Sequence, residues 1–258
     1  MIAPAMHVAT EGGRDVNTAR AVKSLSEAVQ VRTVSFSDRT LMDFGEFDRF
    51  HALLGSLYPL THERLHKTAL GHSLFYRWKG SDTAQGNQGN KGKKPVALMS
   101  HMDVVPADEE GWEYPPFSGA VADGYVWGRG SIDMKYGLVT ILEAIEELLE
   151  EGFVPSRDIY MISTCDEETG GQGGIDEIAE RLSSAGVRFE WVLDEGGVVG
   201  EGMMAGLDKP LAAVGVAEKG YLDLELSVEM EAGHSSMPGQ TTSVGLLSRA
   251  IARLEARQ

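Results

Sequence analysis

The sequence is poor in cysteine and in basic residues. Its single cysteine, Cys165, cannot form an internal disulfide, which is compatible with a reducing compartment. Lys and Arg number 23 against 39 Asp and Glu, so the formal net charge is −16. Nucleic acids are bound by clustered cations, and an anionic membrane surface would repel such a chain. We therefore expect neither nucleic acid nor a membrane as a partner.

The sequence also lacks targeting and membrane segments. The N-terminal stretch MIAPAMHVATEGGRD has no basic segment followed by a long apolar core, so it does not resemble a signal peptide. No run of about 18 apolar residues occurs, so no transmembrane helix is expected. These absences predict a cytoplasmic protein.

Hydrophobic periodicity predicts helices and strands in alternation through most of the chain. The predicted helices are 15–30, 43–57, 134–151 and 174–185. The predicted strands are 72–78, 95–100, 158–164 and 190–193. Strands that alternate with helices are typical of a sheet covered on both faces. We therefore predict an α/β catalytic domain over residues 1–210.

Two segments depart from this alternation. Residues 80–94, GSDTAQGNQGNKGKK, contain too few apolar residues to order themselves, so we predict a flexible hairpin loop between strands 72–78 and 95–100. After Pro210, the strict alternation of 221–229 predicts an antiparallel strand, and 241–258 has the spacing of an amphipathic helix. A second domain is expected over 211–258, and this length is too short to bury a core of its own.

Histidine and acidic residues follow three of the predicted strands. His101 and Asp103 come after the strand 95–100, and their spacing of two places both side chains on one face. Asp166, Glu167 and Glu168 follow 158–164, and the acids of LDEGG follow 190–193. A carboxylate such as Asp103 is the usual partner for the second ring nitrogen of a metal-bound histidine.

Each of these features has an ordinary structural explanation when it is taken alone. A histidine at a strand end is more often a hydrogen-bonded structural residue, Asp133 could simply cap the helix that follows it, and adjacent acids usually form a solvated loop. Together they favour a site, because ligands gather at the carboxyl ends of strands in α/β sheets. One histidine with several carboxylates suits Zn²⁺, Co²⁺ or Mn²⁺ and excludes a thiolate zinc site.

Six motifs in order carry a resemblance to a known family. They are HMDVVP at 101–106, WEYPPFSG at 112–119, DGYVWGRGSIDMK at 123–135, DEETGGQG at 166–173, LDEGG at 193–197 and AGHSSMPG at 232–239. From about residue 17 onward the chain resembles the co-catalytic metallopeptidases of the aminoacylase, carboxypeptidase G and acetylornithine deacetylase family. It looks most like the Gly-X carboxypeptidase (carboxypeptidase S) branch. The resemblance implies a mixed, mostly parallel sheet flanked by helices, followed by the start of an α+β lid domain.

The resemblance also implies a two-metal site. His101 and Asp194 would bind one divalent ion, Glu168 would bind the other, and Asp133 would bridge them. The metal would be Zn²⁺, with Co²⁺ or Mn²⁺ as alternatives. The peptide bond between Asp133 and Met134 is expected to be cis.

Three further residues receive catalytic roles from the resemblance. Asp103 would orient His101, and Glu167 would be the general base that takes a proton from the metal-bridging water. His234 would be the lid histidine that donates to the developing oxyanion. The chain has no histidine after His234 and ends within what resembles the lid, so we expect an incomplete product whose second metal site lacks a ligand.

The leading hypothesis is a metal-dependent hydrolase that cleaves an amide bond of an N-acyl amino acid or of a small peptide with a free carboxylate. Relatives suggest a homodimer formed through the lid. One alternative is a truncated, inactive remnant that binds at most one metal. Another is a dipeptidase or deacylase of the same family.

Overall fold

The structure is a computed structural model of the chain. It describes residues 5–7 (backbone only), 17–82, 92–171, 173–197, 199–217, 219–231, 236, 239 and 241–257. Backbone contacts divide the chain into two units, Met1–Gly196 and Gly197–Gln258. The domain boundary near residue 211 stays a prediction. Most of the loop 80–94 that we predicted to be flexible lies outside the described residues, at 83–91.

Helices and strands alternate through the described part of the first unit. Its helices are α1 (Thr18–Val29), α2 (Phe44–Leu57), α3 (Pro59–Arg64), α4 (Lys135–Glu150) and α5 (Ile175–Ser184). Its strands are β1 (Ala5–His7), β2 (His66–Leu70), β3 (Ser73–Trp78), β4 (Val96–Met99), β5 (Val121–Ala122), β6 (Tyr125–Trp127), β7 (Ile159–Ser163) and β8 (Val192–Leu193). Short 3₁₀ turns occupy Arg39–Leu41 and Glu167–Thr169.

Within the described residues, the central sheet of the first unit has five strands in the order β2-β3-β7-β4-β8. β4 is parallel to both β7 and β8, whereas β3 is antiparallel to both β2 and β7. Four strands therefore share one direction and only β3 opposes them. The predicted mixed, mostly parallel α/β sheet is confirmed. The small strands β1, β6 and β5 form a separate antiparallel sheet.

The predicted hairpin between β3 and β4 is wrong, because β7 lies between these two strands. The hairpin partner of β3 is β2, reached through a tight turn in which Gly71 has φ +53°. The segment HKTAL of β2 is short and half polar, so its pattern did not predict a strand. β7 is buried at every position after the first, and this apolar strand gains hydrogen-bonded neighbours on both edges at the centre of the sheet.

Alternate side chains of the sheet supply two cores. Leu74, Tyr76 and Met161 belong to a large cluster shared with helices α1 to α4. Phe75, Tyr160 and Ile162 point to the opposite face, where they pack against Ile178 and Leu182 of α5. The amphipathic patterns predicted for α1, α2 and α4 and the predicted helix α5 are confirmed, and the sheet carries helices on both faces.

Two buried glutamates interrupt the apolar face of α4. Glu146 accepts hydrogen bonds from the backbone N of Leu60 at 2.8 Å, and from the backbone N and Oγ1 of Thr61 at 2.8 and 2.7 Å. It thereby satisfies free amides in the first turn of α3, where Tyr58 provides no side-chain cap. Glu143 accepts hydrogen bonds from the side chains of Arg20, Ser24 and Tyr58.

The described part of the second unit contains β9 (Val199–Gly200), β10 (Leu211–Ala212) and α6 (Ser243–Glu255). The predicted C-terminal helix is confirmed, and Thr242 caps it by accepting a hydrogen bond from Gly245 N at 3.1 Å. The predicted strand 221–229 is wrong. A strand needs a hydrogen-bonded neighbour, and none of the described residues pairs with this segment. No helix in the described ranges has the length and apolar character needed to cross a bilayer.

Replacement of Glu146 by alanine is expected to destabilise the first unit. Three donors at the start of α3 would lose their buried acceptor, so we expect the free energy of unfolding to fall by about 3 kcal/mol. Urea denaturation measures this change. The control is Glu150→Ala, which removes an exposed partner of Arg20 at 2.8 Å and should cost less than about 1 kcal/mol. Equal losses from both variants would contradict the capping role of Glu146.

Candidate active site

The acidic segments of the first unit meet at one edge of the central sheet. β4 lies between β7 and β8 in parallel register, so the chain leaves all three strands on the same side. Residues 100–103, 164–168 and 194–195 follow these strands directly. A cavity of about 270 Å³ opens there, lined among others by His101, Glu167 and Asp194. This is the usual place for a ligand site in an α/β sheet.

His101 is buried and its two ring nitrogens face different surroundings. Nδ1 lies 2.9 Å from the backbone oxygen of Asp103, and this contact orients the ring. Nε2 faces three carboxylates, at 3.0 Å from Asp133 Oδ1, 3.4 Å from Glu195 Oε2 and 3.7 Å from Glu167 Oε2. The second nitrogen therefore points into a group of acids, as a metal ligand would.

Asp103 is fully buried and connects two of the strand ends. The carboxylate Oδ1 of Asp103 lies 3.5 Å from His101 Nδ1, whereas the backbone oxygen of Asp103 lies 2.9 Å from the same nitrogen. Its two carboxylate oxygens also accept hydrogen bonds from the backbone N of Glu167 and of Glu168, each at 3.2 Å. Asp103 thus contacts the histidine as predicted and, in addition, holds the turn that carries the two glutamates.

Asp133 lies just before α4, and its position follows from how the start of that helix is held. The peptide bond between Asp133 and Met134 is cis, as the resemblance implied. The next residue, Lys135, is buried and donates from Nζ to the backbone oxygens of Ala28 at 3.0 Å and Val31 at 2.6 Å. Burial lowers the pKa of Lys135 to about 7. These contacts attach the start of α4 to the end of α1 and thereby locate Asp133.

Two overlapping groups of side chains could each hold a cation. His101, Asp133 and Glu168 form one group, and His101, Glu167 and Glu195 form the other. Within each group the potential ligand atoms lie within 4.8 Å of one another. One imidazole with several carboxylates is a donor set that suits Zn²⁺ or Mn²⁺.

The predicted site residues within the described ranges lie together at this edge of the sheet. Asp194 lines the cavity but belongs to neither group, whereas its neighbour Glu195 does. Both acids follow the end of β8, and the sequence pattern alone did not indicate which of them lies nearer to His101. His234 lies outside the described residues.

The carboxylates of the site repel one another. Burial, followed by the charges of Asp133, Asp103 and Glu167, raises the pKa of Glu168 to about 7. Burial opposes the charged form of His101, but its hydrogen bond to Asp103 and the surrounding negative charges outweigh this and raise its pKa to about 10. The site therefore holds an excess of negative charge that a divalent cation would neutralise.

Comparison with known sequences identifies similar proteins. The family model described as Peptidase family M20/M25/M40 matches residues 97–256. The chain is 40% identical over 238 residues to the N-fatty-acyl-amino acid synthase/hydrolase PM20D1 of Mus musculus, covering 90% of this chain and 45% of that protein. It is 39% identical to the probable carboxypeptidase S-like 2 of Dictyostelium discoideum, covering 90% of this chain and 44% of that protein. The chain thus spans about half the length of these curated relatives.

A solved structure has a similar fold. The M20 family metallo-carboxypeptidase Sso-CP2 of Sulfolobus solfataricus superimposes with a TM-score of 0.52 at 20% identity. The match covers 68% of this chain and 37% of that structure. At this identity the likeness supports the α/β architecture.

Neutralising Glu168 is expected to stabilise the metal-free chain at alkaline pH. Because its pKa in the folded state is raised to about 7, its charge opposes folding above that pH, and the penalty fades as the pH falls towards the ordinary glutamate value. Glu168→Gln should therefore raise the unfolding free energy by about 1 kcal/mol at pH 8, since solvent screens this half-buried group, and by less at pH 5.

Thermal unfolding after chelator treatment checks this expectation. The control is Glu180→Gln, which removes one exposed negative charge from α5. The proposed repulsion would be contradicted if the increase in stability of Glu168→Gln did not depend on pH. It would also be contradicted if the control became more stable by the same amount.

Proposed function

Because the chain belongs to Peptidase family M20/M25/M40, we propose that it carries the metal-binding part of a hydrolase that cleaves amide bonds. One observation supports this proposal above the others. The buried ring of His101 directs Nε2 at the carboxylates of Asp133, Glu167 and Glu195 at one edge of a mostly parallel sheet. Such an arrangement combines potential metal ligands with a carboxylate base.

The proposed substrate class follows from what the relatives have in common. The name of the mouse relative refers to N-fatty-acyl amino acids, and that of the Dictyostelium relative refers to a carboxypeptidase. An N-acyl amino acid and the C-terminal end of a peptide share an amide bond next to a free carboxylate. We propose that the hydrolase acts on this unit, in N-acyl amino acids or in small peptides.

The residues of the site fit a pair of divalent cations, for which Zn²⁺ is our first proposal and Co²⁺ or Mn²⁺ the alternatives. His101 and Glu195 would bind one cation and Glu168 would bind the other, and Asp133 could bind both cations. The excess of negative charge around His101 supports this assignment. Bound cations of this kind polarise a scissile carbonyl and acidify an attacking water.

Glu167 is the residue that we assign to proton transfer. Its carboxylate is partly exposed in the cavity, and burial together with the charges of Asp103 and Asp133 raises its pKa, which makes it a stronger base. The hydrogen bond from its backbone N to Asp103 holds it in place. It would accept a proton from the attacking water and deliver the proton to the leaving amine. The role of His234 in stabilising the oxyanion stays a prediction from the sequence.

Replacing the base should separate catalysis from metal binding. The Glu167→Gln variant is expected to retain its metal content. Its rate of hydrolysis should fall by roughly 10²- to 10⁴-fold, since general-base catalysis contributes about that much to the rate. Asp133→Ala is the matched variant and should lose metal as well as activity. Metal analysis and release of free amino acid from N-acyl amino acids provide the two measurements. Retained turnover in Glu167→Gln would show that another group is the base.

The same measurements on the unmodified chain test the proposed function itself. About two metals per chain, together with faster hydrolysis of N-acyl amino acids than of dipeptides, would support it. At most one metal and no hydrolysis would favour an inactive remnant, and a preference for dipeptides would favour a dipeptidase of the same family. A homodimer formed through the lid and a cytoplasmic location stay predictions from the sequence.

Glu195 and Asp194 can be distinguished by matched substitutions. Glu195 lies 3.4 Å from His101 Nε2, so Glu195→Gln is expected to weaken metal binding at least tenfold, as loss of a charged ligand does. Asp194→Asn should change the metal affinity by less than about threefold. Competition with a chromogenic chelator measures both values. If Asp194→Asn has the larger effect, Asp194 is the ligand and the assignment from the resemblance is correct.

A further inference from the structure

A second, larger cleft lies at the opposite end of the central sheet from the acidic site. Its lining includes Pro95 and Asp158, which precede β4 and β7, and the turn at 185–188 that follows α5. The acidic site follows the other ends of the same strands. The cleft has a volume of about 610 Å³, within the range of pockets that bind small molecules.

The lining of this cleft is basic although the chain as a whole is acidic. It contains six Lys or Arg residues, namely Arg77, Lys79, Lys93, Lys94, Arg181 and Arg188, with His66 beside them. Among the described residues of the lining, Asp158 is the only acid. The described lining residues therefore comprise six basic side chains and one acidic side chain, which gives them a formal charge of +5. Clustered cations of this kind attract anions.

Several of these cations have no partner within the described part of the chain. Arg77 is neutralised by Asp158, with Nε at 2.7 Å and a second guanidinium nitrogen at 2.6 Å. No carboxylate among the described residues forms an ion pair with Lys79, Lys94 or Arg181, all of which are exposed. These three side chains can thus offer charge and hydrogen-bond donors to a ligand.

The floor of the cleft is apolar because of the strand register and the length of α5. Phe75 and Tyr160 lie on the face of the sheet that α5 covers, with ring centroids 6.5 Å apart. Leu182 lies in the last turn of the helix, which ends at Ser184, and all three side chains line the cleft although they are largely buried. The cleft therefore combines a basic rim with an aromatic and aliphatic floor.

We propose that this cleft binds a small organic phosphate. The apolar body of the ligand would lie on Phe75, Tyr160 and Leu182, and the phosphate would be bound at the rim by Lys79, Lys94 and Arg181. Arg and Lys are the side chains best suited to phosphate oxygens. The cleft volume of about 610 Å³ and the net charge of −16 favour a small ligand over a nucleic acid.

Calorimetric titration of the purified chain with AMP tests this proposal. AMP should bind, and its affinity should fall as salt is raised. The double variant Lys79→Ala/Arg181→Ala should weaken AMP binding roughly tenfold or more, because two charge-assisted contacts are lost. The control Lys23→Ala/Arg49→Ala removes two exposed charges from α1 and α2 and should leave the affinity within about twofold. Circular dichroism verifies that both variants are folded.

Two further probes separate the parts of the site. Adenosine, which lacks the phosphate, and inorganic phosphate, which lacks the apolar body, should each bind at least about tenfold more weakly than AMP. If adenosine bound as tightly as AMP, the basic rim would not contribute to binding. If inorganic phosphate bound as tightly as AMP, the apolar floor would not contribute. Absence of AMP binding, or equal losses in the two double variants, would overturn the proposal. None of these results depends on hydrolytic activity.

Discussion

Parallel pairing of β4 between β7 and β8 is the constraint on which the candidate site depends. It places the segments after three strands at one edge of the sheet, so residues that are far apart in the chain become neighbours. The buried carboxylate of Asp103 then joins two of these segments through the backbone amides of Glu167 and Glu168. A change that shifted this register would separate His101 from the acids that surround it.

Charge is distributed unevenly along the same sheet. Carboxylates concentrate where β4, β7 and β8 end; burial together with their charges raises the pKa of Glu168, and their contacts and charges raise the pKa of His101. Lysines and arginines concentrate where β4 and β7 begin. These two groups lie at opposite ends of the same strands. The net charge of −16 therefore conceals two local fields of opposite sign, each suited to a ligand of opposite charge.

Buried polar side chains connect the helices around this sheet. Glu146 binds the first turn of α3, and Lys135 binds the end of α1. Neither role could be predicted from periodicity, because a charged residue inside an apolar helix face is read as exposed until its partners are known. Burial of such groups is tolerated only when their hydrogen bonds are made, so these contacts also restrict how the helices can pack.

The sequence by itself determined the alternation of helices and strands, the motifs of the family and most of the residues that meet at the site. These features are local, since periodicity and turn residues act over a few positions. Only the tertiary structure decided that β7 separates β3 from β4, that Glu195 lies closer than Asp194 to His101 Nε2, and that scattered cations form one basic cleft. Strand order and side-chain direction depend on contacts between distant segments, and no local pattern records which of the possible pairings buries the most apolar surface.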